Sequence, residues 1–248
     1  MIKIFKNIRK TLVNEGKTTS YLKYAIGEIL LVVIGILIAL QVNNWNEDRK
    51  ESLQENQIID NLRIEFEKIS DSLKLDIENL EKSQNARLRI LKLMNKTSQD
   101  LSLEQSWDSL LSRSISIPSI FPSSYILEEL KNSGKIYRLK NNSVKTLLYK
   151  YDQQYSKILE TITLSRSQYE YLLEYLKANA ILRNIDATSP TYAGIGNSIL
   201  KKNNLHLLED LKFENAIDDV YALMYQRLLQ YKRALIIINK IIETTNHT

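Results

Sequence analysis

Residue types that usually carry out catalysis are scarce in this sequence of 248 residues. It contains no cysteine and only two histidines, His206 and His247. A zinc site needs three or four ligands at recognisable spacing, and a thiolate nucleophile needs a cysteine. A lone histidine on a short helix is more often a surface residue than a metal ligand. The sequence therefore predicts no metal site and no cysteine-based chemistry.

Motifs for phosphate, dinucleotide and serine chemistry are missing as well. The chain has no G-x-x-x-x-G-K and no G-x-S-x-G, and "AGIG" at 193–196 lacks the third glycine of a dinucleotide-binding turn. Glu128 and Glu129 are adjacent, so on a helix they point in different directions. Acidic residues also crowd the start of the last helix, where negative charge suits the helix dipole; they are Glu214, Asp218 and Asp219. The sequence thus predicts that the protein is not an enzyme and holds no cofactor.

Tyrosines are numerous and recur at helical spacing among Leu and Ile, which favours a role in packing. Stacking on an aromatic ligand is the alternative. The tyrosines concerned are Tyr149, Tyr151, Tyr155, Tyr169, Tyr171, Tyr175, Tyr221, Tyr225 and Tyr231.

Three residues of an otherwise apolar stretch have the spacing that pairs two helices. At about 100° per residue, Gly35 lies roughly −20° and Ala39 roughly +20° around a helix from Glu28. Glu28, Gly35 and Ala39 form what we call the pairing stripe, in which Gly35 and Ala39 let two backbones approach closely. Our hypothesis is a helix-pairing seam with the acid facing a protein partner. The alternative is that Glu28 extends to nearby lipid headgroups.

The stretch that carries this stripe is predicted to cross a membrane. From Tyr24 to Val42 there are 19 residues, of which only Glu28 and Gln41 are strongly polar. A helix of this length, at about 1.5 Å per residue, covers roughly 28 Å, close to the thickness of the hydrocarbon core. A small-x-small cleavage site does not follow, and a polar helix continues directly. We therefore predict an uncleaved signal anchor, with the transmembrane helix at 21–44.

The positive charge of the chain is concentrated before this helix. Residues 1–23 hold six Lys and Arg against Glu15 alone, whereas the residues beyond Val42 include 28 basic and 27 acidic side chains. This asymmetry is typical of membrane topology and not of a nucleic-acid surface. It predicts a single-pass protein of the bacterial inner membrane with its N-terminus in the cytoplasm and its C-terminal domain in the periplasm. Residues 1–20, with apolar Ile2, Phe5, Ile8 and Leu12 between basic side chains, are predicted to lie along the inner leaflet.

The remaining residues, 45–248, are predicted to form an exported helical domain. The transmembrane helix continues to about residue 95, with apolar positions at Ile59, Leu62, Phe66, Ile69, Leu73, Ile77, Leu80, Leu91 and Met94. Two further heptad-like, coiled-coil-type faces begin at Val144 and Ile217. A short helix before them ends at Gly134, and the next helix is predicted to be capped by Asn142 or Ser143. The fold class is therefore all-α, with an antiparallel helical bundle after the membrane helix.

Two stretches resemble a known family. "YAIGEILLVVIGILIALQVNNWNE" (24–47), behind a basic amphipathic start, resembles the signature of a family of single-span membrane proteins from flavobacteria and other Bacteroidota, which is a domain of unknown function. "SSYILEELKNSGKIYRLKNNSVKTLLYKYDQQY" (123–155) is similar to that family's short helix, SG stop and helix ending in paired tyrosines, although "YKYDQQY" lacks adjacent tyrosines. The resemblance covers essentially the whole chain. It implies one inner-membrane span with a helical outer domain and carries over no catalytic residue.

Two functions are consistent with these features. The first is a membrane-anchored interaction or scaffold protein of the cell envelope, whose partners are the lipid bilayer and either a second copy or another inner-membrane protein. The alternative is a sensory or ligand-binding helical domain that signals through a separate partner. An enzyme is the third hypothesis, which a deep pocket with converging Tyr, Arg and acidic side chains would favour. Such a pocket would be sought first in the irregular segments 121–140 and 186–198, because sites tend to lie where loops pack on rigid helices.

Overall fold

The computed structural model describes residues 18–96, 107–117, 121, 123–192, 194–200 and 202–246, and within these ranges the protein is helical without a strand. The predicted all-α class is confirmed. Short 3-10 turns occur at Lys135–Arg138, Pro190–Tyr192 and Leu205–Glu209. The α-helices are α1 (Thr18–Leu93), α2 (Trp107–Ser114), α3 (Tyr125–Asn132), α4 (Asn142–Asn179), α5 (Leu182–Ala187) and α6 (Leu211–Asn246).

The chain divides into two compact units, one up to Ile58 and one from Ile59 onward. In the first unit, the large apolar side chains between Leu22 and Val42 are 43% to 63% exposed. Among the described residues, α1 is the one helix long and apolar enough to cross a membrane, and none of its apolar window is buried within the chain. Residues 1–17, most of the predicted inner-leaflet segment, lie outside the described residues.

The second half of α1, from Ile59 onward, belongs to the second unit, and one face of it is buried there. The predicted apolar positions from Ile59 to Leu80 are all buried. The helix ends at Leu93, close to the predicted end at about residue 95. Near that end Leu91 and Met94 are only partly buried, while Ile90 and Leu93 lie in the core. Between Leu80 and Ile90 the buried face of α1 includes polar side chains, which a search for apolar residues does not detect. They are Ser83, Gln84 and Arg87.

Helices α4 and α6 pack against each other along their heptad faces. Near the middle of the pair, the buried Gln154 amide donates to the backbone oxygen of Gln230 at 3.1 Å and to its side-chain oxygen at 2.8 Å. Ser165, which interrupts the apolar pattern of α4, is nevertheless buried, because its hydroxyl donates to the Ile162 carbonyl at 3.1 Å. The buried side chains of Gln154 and Ser165 thus both have hydrogen-bond partners in the core.

The ends of the short helices follow local sequence chemistry. Helix α3 begins after Ser124, whose hydroxyl accepts from the Leu127 amide at 3.2 Å. It ends before Gly134, which has a φ of 69° and confirms the predicted glycine stop. The cap of α4 is Asn141, whose side-chain oxygen accepts from the Val144 amide at 3.1 Å. The predicted cap at Asn142 or Ser143 was therefore wrong by at least one residue, because each of the neighbouring side chains Asn141, Asn142 and Ser143 has capping chemistry.

Candidate functional site

The pairing stripe lies on α1, within the first unit. A β-carbon built on Gly35 meets no atom within 4 Å, and Ala39 is exposed. Glu28, which is partly buried, lies about two helical turns before Gly35 on the same helix. Packing within the chain therefore gives no reason for a glycine at position 35.

A second candidate lies between α1 and α6 in the second unit, and we call it the tyrosine cleft. Its volume is about 320 Å³, at the lower end of the range for small-molecule sites. The rings of Tyr221 and Tyr225 stack with centroids 6.4 Å apart and planes 20° from parallel. The lining residues are Glu81, Gln84, Asn85, Leu88, Tyr221, Tyr225 and Leu228.

Hydrogen bonds fix the floor of the tyrosine cleft. The Gln84 amide donates to the Tyr221 carbonyl at 3.0 Å, while its oxygen accepts from Arg87 at 2.8 Å. Glu81 pairs with Lys232 at 2.6 Å, so its carboxylate is neutralised by a neighbouring cation. Among the lining residues, Asn85 and Tyr225 are exposed and Tyr221 is partly exposed. The cleft can bind a molecule by stacking and hydrogen bonding, and its lining includes neither a nucleophile paired with a base nor a histidine.

Behind this floor, Arg87 is completely buried. Its second terminal nitrogen donates to the Ser116 carbonyl at 2.9 Å, just beyond the end of α2, and the Nε atom has no hydrogen-bond partner. Burial lowers the pKa of Arg87 to about 10. The Tyr169 hydroxyl donates to the neighbouring Ile115 carbonyl at 2.7 Å. Arg87 and Tyr169 together hold the segment after α2 against α1 and α4.

The first of the two irregular segments in which a pocket would be sought, 121–140, contributes to the core. Phe121 is buried and lies among three tyrosine rings with centroid distances of 5.5 to 6.4 Å; they are Tyr151, Tyr155 and Tyr231. Burial raises the pKa values of Tyr151 and Tyr231, so these phenols stay neutral. Glu128 and Glu129 are both exposed on α3. The described part of the segment thus provides packing and a solvated acidic surface.

The second segment, 186–198, forms a loop held by side chains from α5. Arg183 donates to the carbonyls of Ile195 at 2.9 Å and Gly196 at 3.1 Å. The Ser198 amide donates to Asn184 at 2.8 Å. Positive φ angles at Gly194 (101°) and Gly196 (67°) allow the loop to follow this path.

The histidine and the acidic residues considered in the sequence lie in hydrogen-bonded or exposed positions. The two ring nitrogens of His206 lie 3.2 Å from the Asn203 carbonyl and 2.8 Å from the Asn179 carbonyl. Within the part of the chain that the structure describes, no group of three or more His, Asp or Glu could hold a metal ion. His247 lies outside that part. Asp218 and Asp219 are exposed in the first half of α6, and Glu214 is partly exposed in its first turn.

Two polar clusters hold the loops at the ends of α4 and α6. Asn204 is buried, and its amide donates to Asp108 at 2.6 Å while its backbone carbonyl accepts from the Trp107 ring at 2.8 Å. The Tyr175 hydroxyl donates to Asp210, whose other oxygen accepts from the Lys212 amide at 2.8 Å. The hydrogen bond from Tyr175 lowers the pKa of Asp210, whereas burial, followed by that bond, raises the pKa of Tyr175.

The residue pattern suggests the pairing stripe, whose pairing role stays a prediction, but it does not reveal the tyrosine cleft. Tyr221 and Tyr225 are two of the nine tyrosines at helical spacing for which packing was favoured, and the residues they face on α1 were not predicted. The one signal in the sequence is the polar run of α1 around Gln84, where the apolar pattern stops. That run does not identify its partner, because Gln84 and Tyr221 are 137 residues apart.

Comparisons with known proteins find no relative of this chain. No family model matches it, and neither the curated proteins nor the solved structures include a match. The resemblance to the Bacteroidota family therefore stays a prediction from the two quoted stretches.

Proposed function

We propose that the protein is a membrane-anchored scaffold that pairs with a second copy through α1. The observation that carries this proposal is the apolar segment between Leu22 and Val42, whose large side chains are 43% to 63% exposed and of whose apolar window no part is buried within the described residues. So much contiguous apolar surface needs lipid or another protein to cover it. The lining of the tyrosine cleft offers binding chemistry only, which favours a non-enzymatic role without a cofactor.

The proposed arrangement in the envelope follows from charge. Six basic residues precede the apolar segment within residues 1–23, and only Arg49 and Lys50 follow it up to Asp60. The positive-inside rule then puts the N-terminus in the cytoplasm and the second unit in the periplasm of a bacterium. The quoted resemblance to the Bacteroidota family supports the same arrangement.

We propose further that α4 and α6 form an antiparallel bundle with the second half of α1. Gln154 contacts Gln230, whereas Tyr175, further along α4, contacts Asp210 just before α6. Residues later in α4 therefore contact residues earlier in or before α6, as expected if the two helices run antiparallel. A rigid bundle of this kind would present a fixed surface to partners outside the membrane.

The test of the pairing stripe is the substitution Gly35→Leu, with Gly27→Leu as its matched control. Both glycines have open space around an added β-carbon, but Gly27 lies about 100° from Glu28 around the helix and hence off the stripe. We expect Gly35→Leu to weaken self-association in bilayers by about tenfold, or about 1.4 kcal/mol, and Gly27→Leu to leave it unchanged. Förster transfer between labelled copies in vesicles measures this equilibrium. Equal affinities for wild type and Gly35→Leu would remove the stripe from the proposal.

The tyrosine cleft supports a second candidate function, ligand binding outside the membrane. Its volume of about 320 Å³ and its stacked Tyr221 and Tyr225 suit a small flat molecule. Thermal-shift screening of the full chain with small molecules and metals tests this function. A hit that stabilises wild type but not Tyr225→Ala would support it, and a screen without such a hit would favour the scaffold function alone.

A further inference from the structure

In the loop between α5 and the turn at Leu205–Glu209, apolar side chains are exposed to an unusual extent. Ile199 is 90% exposed and Leu200 is 63% exposed. Single exposed aliphatic residues are ordinary on protein surfaces, but a cluster within a few residues marks an interaction site. Two more apolar residues of the same loop, Tyr192 and Ile195, are 49% and 41% exposed. We call Tyr192, Ile195, Ile199, Leu200 and Lys202 the loop patch.

The backbone beneath the loop patch is held in place. Arg183 binds two of its carbonyls, and Asn184 accepts from the Ser198 amide, one residue before Ile199. The aliphatic side chains of Ile199 and Leu200 are therefore presented to solvent by an anchored loop. Burying this apolar surface would lower the free energy of the folded chain, so its exposure requires an explanation.

The charge around the patch indicates what covers it. Between residues 188 and 204 the sequence contains two lysines, Lys201 and Lys202, and no acidic residue. Of these two lysines, Lys202 lies within the described residues and is exposed. Aliphatic side chains flanked by lysines are the composition that binds an anionic lipid surface, where the lysines meet phosphates and the aliphatic groups enter the acyl boundary.

We propose that the loop patch docks on an anionic lipid surface. Ile199 and Leu200 enter the boundary between headgroups and acyl chains, and Lys202 lies near the phosphates. This site is separate from the pairing stripe and does not depend on self-association. It would give the second unit its own contact with lipid.

The chain has no cysteine, so one engineered cysteine can be labelled alone. The experiment uses the full chain in nanodiscs with an environment-sensitive fluorophore on Ile199→Cys, and on Leu164→Cys as the control at a 56% exposed position of α4. The probe is read in neutral phosphatidylcholine discs and in discs with equimolar phosphatidylglycerol, each with and without added vesicles of the same two compositions. We expect a blue shift at position 199 only where anionic lipid is present, and none at position 164. Emission typical of water at position 199 in every arm, or an equal shift with neutral lipid, would overturn the proposal.

An unlabelled pair of variants tests the same site without a probe. Ile199→Ser with Leu200→Ser removes the aliphatic tip, and the matched control is Leu164→Ser with Ile236→Ser, at positions that are 56% and 58% exposed. The measured quantity is the affinity of added phosphatidylglycerol vesicles for the full chain in neutral nanodiscs. We expect the first pair, and separately Lys202→Glu, to weaken this affinity about tenfold, while the control pair leaves it unchanged. A photoreactive residue at 199 that captures a single protein and no lipid in native membranes would assign the patch to a protein partner instead.

Discussion

The carboxylate of Glu65 on α1 accepts a hydrogen bond from the Ser124 hydroxyl at 2.6 Å, one residue before α3 begins. The same carboxylate accepts from the backbone amide of Tyr125 at 2.7 Å. Helix α3 has only eight residues, too few to be stable alone in water. Its N-terminus is therefore capped by a charged side chain from another helix, in addition to the local cap.

Replacing Glu65 by alanine should destabilise the second unit by about 2 kcal/mol, because charge-assisted hydrogen bonds to the α3 terminus are lost. Glu67→Ala is the matched control, since Glu67 makes only an exposed ion pair with Arg63 at 3.7 Å. We expect its effect to stay within about 0.5 kcal/mol. Denaturant unfolding of the full chain in detergent, followed by circular dichroism, measures both. Equal losses in the two variants would contradict the capping role.

Tyr175→Phe should lower stability by about 1 kcal/mol at neutral pH, because the hydrogen bond to Asp210 is lost. That bond holds the pKa of Asp210 below its unfolded value of about 4, so its contribution is complete above about pH 4 and is lost as the pH falls through the folded pKa. The gap between wild type and variant should therefore close in acid. Because burial and the same bond raise the pKa of Tyr175, the contribution of the bond is complete below about pH 10 and is lost as the pH rises through the folded pKa of Tyr175.

Tyr171→Phe is the control for this prediction, because Tyr171 is 53% exposed on the same helix. Unfolding curves collected across the acid range supply the measurement. A gap that stays constant down to pH 2 would show that the hydroxyl acts through packing and not through Asp210.

Arg87→Lys should cost about 3 kcal/mol of stability despite the conserved charge, because a lysine cannot reach both Gln84 and the Ser116 carbonyl. Arg89→Lys, at an exposed position of the same helix, should change stability by no more than about 0.5 kcal/mol. Thermal unfolding distinguishes the two. If both substitutions were tolerated, the buried guanidinium would not be what holds the segment after α2.

A photoreactive residue at position 35 should capture a second copy of the chain in native membranes, because Gly35 lies on the pairing stripe. Position 33 is the control, since it lies about 160° around the helix from Gly35. Mass spectrometry of the captured products measures the outcome. Capture of a different membrane protein at position 35 would make the chain a subunit of a mixed complex, and capture of lipid alone would contradict pairing.

The long helices were predictable because each repeats its apolar residues over many turns. Val144, Leu148 and Tyr151 on α4, for example, are buried where the spacing puts them. Gly134 also ends its helix as expected, since only glycine takes a left-handed backbone without strain. The pairing stripe also rests on residue type and spacing, and its pairing role stays a prediction.

What could not be predicted depends on contacts between distant residues. A charged side chain such as Arg87 indicates a surface position until its acceptors, Gln84 and Ser116, are known. The Glu65 cap on α3 joins residues 59 apart, and local sequence does not show that such a carboxylate faces a helix end. The tyrosine cleft was missed for the same reason, because its two walls come from α1 and α6.

The contacts between α1 and α6 also govern when the core can close during synthesis. Ser70 meets Asn239 across 169 residues, and Gln84 meets Tyr221 across 137. Contacts so distant in sequence form slowly, since a long loop must close before they stabilise anything. Until α6 has emerged, the part of the apolar face of α1 that packs on α6 stays uncovered and prone to aggregation. Copies truncated before α6 would therefore expose that apolar surface permanently, and we expect them to be degraded faster than the full chain.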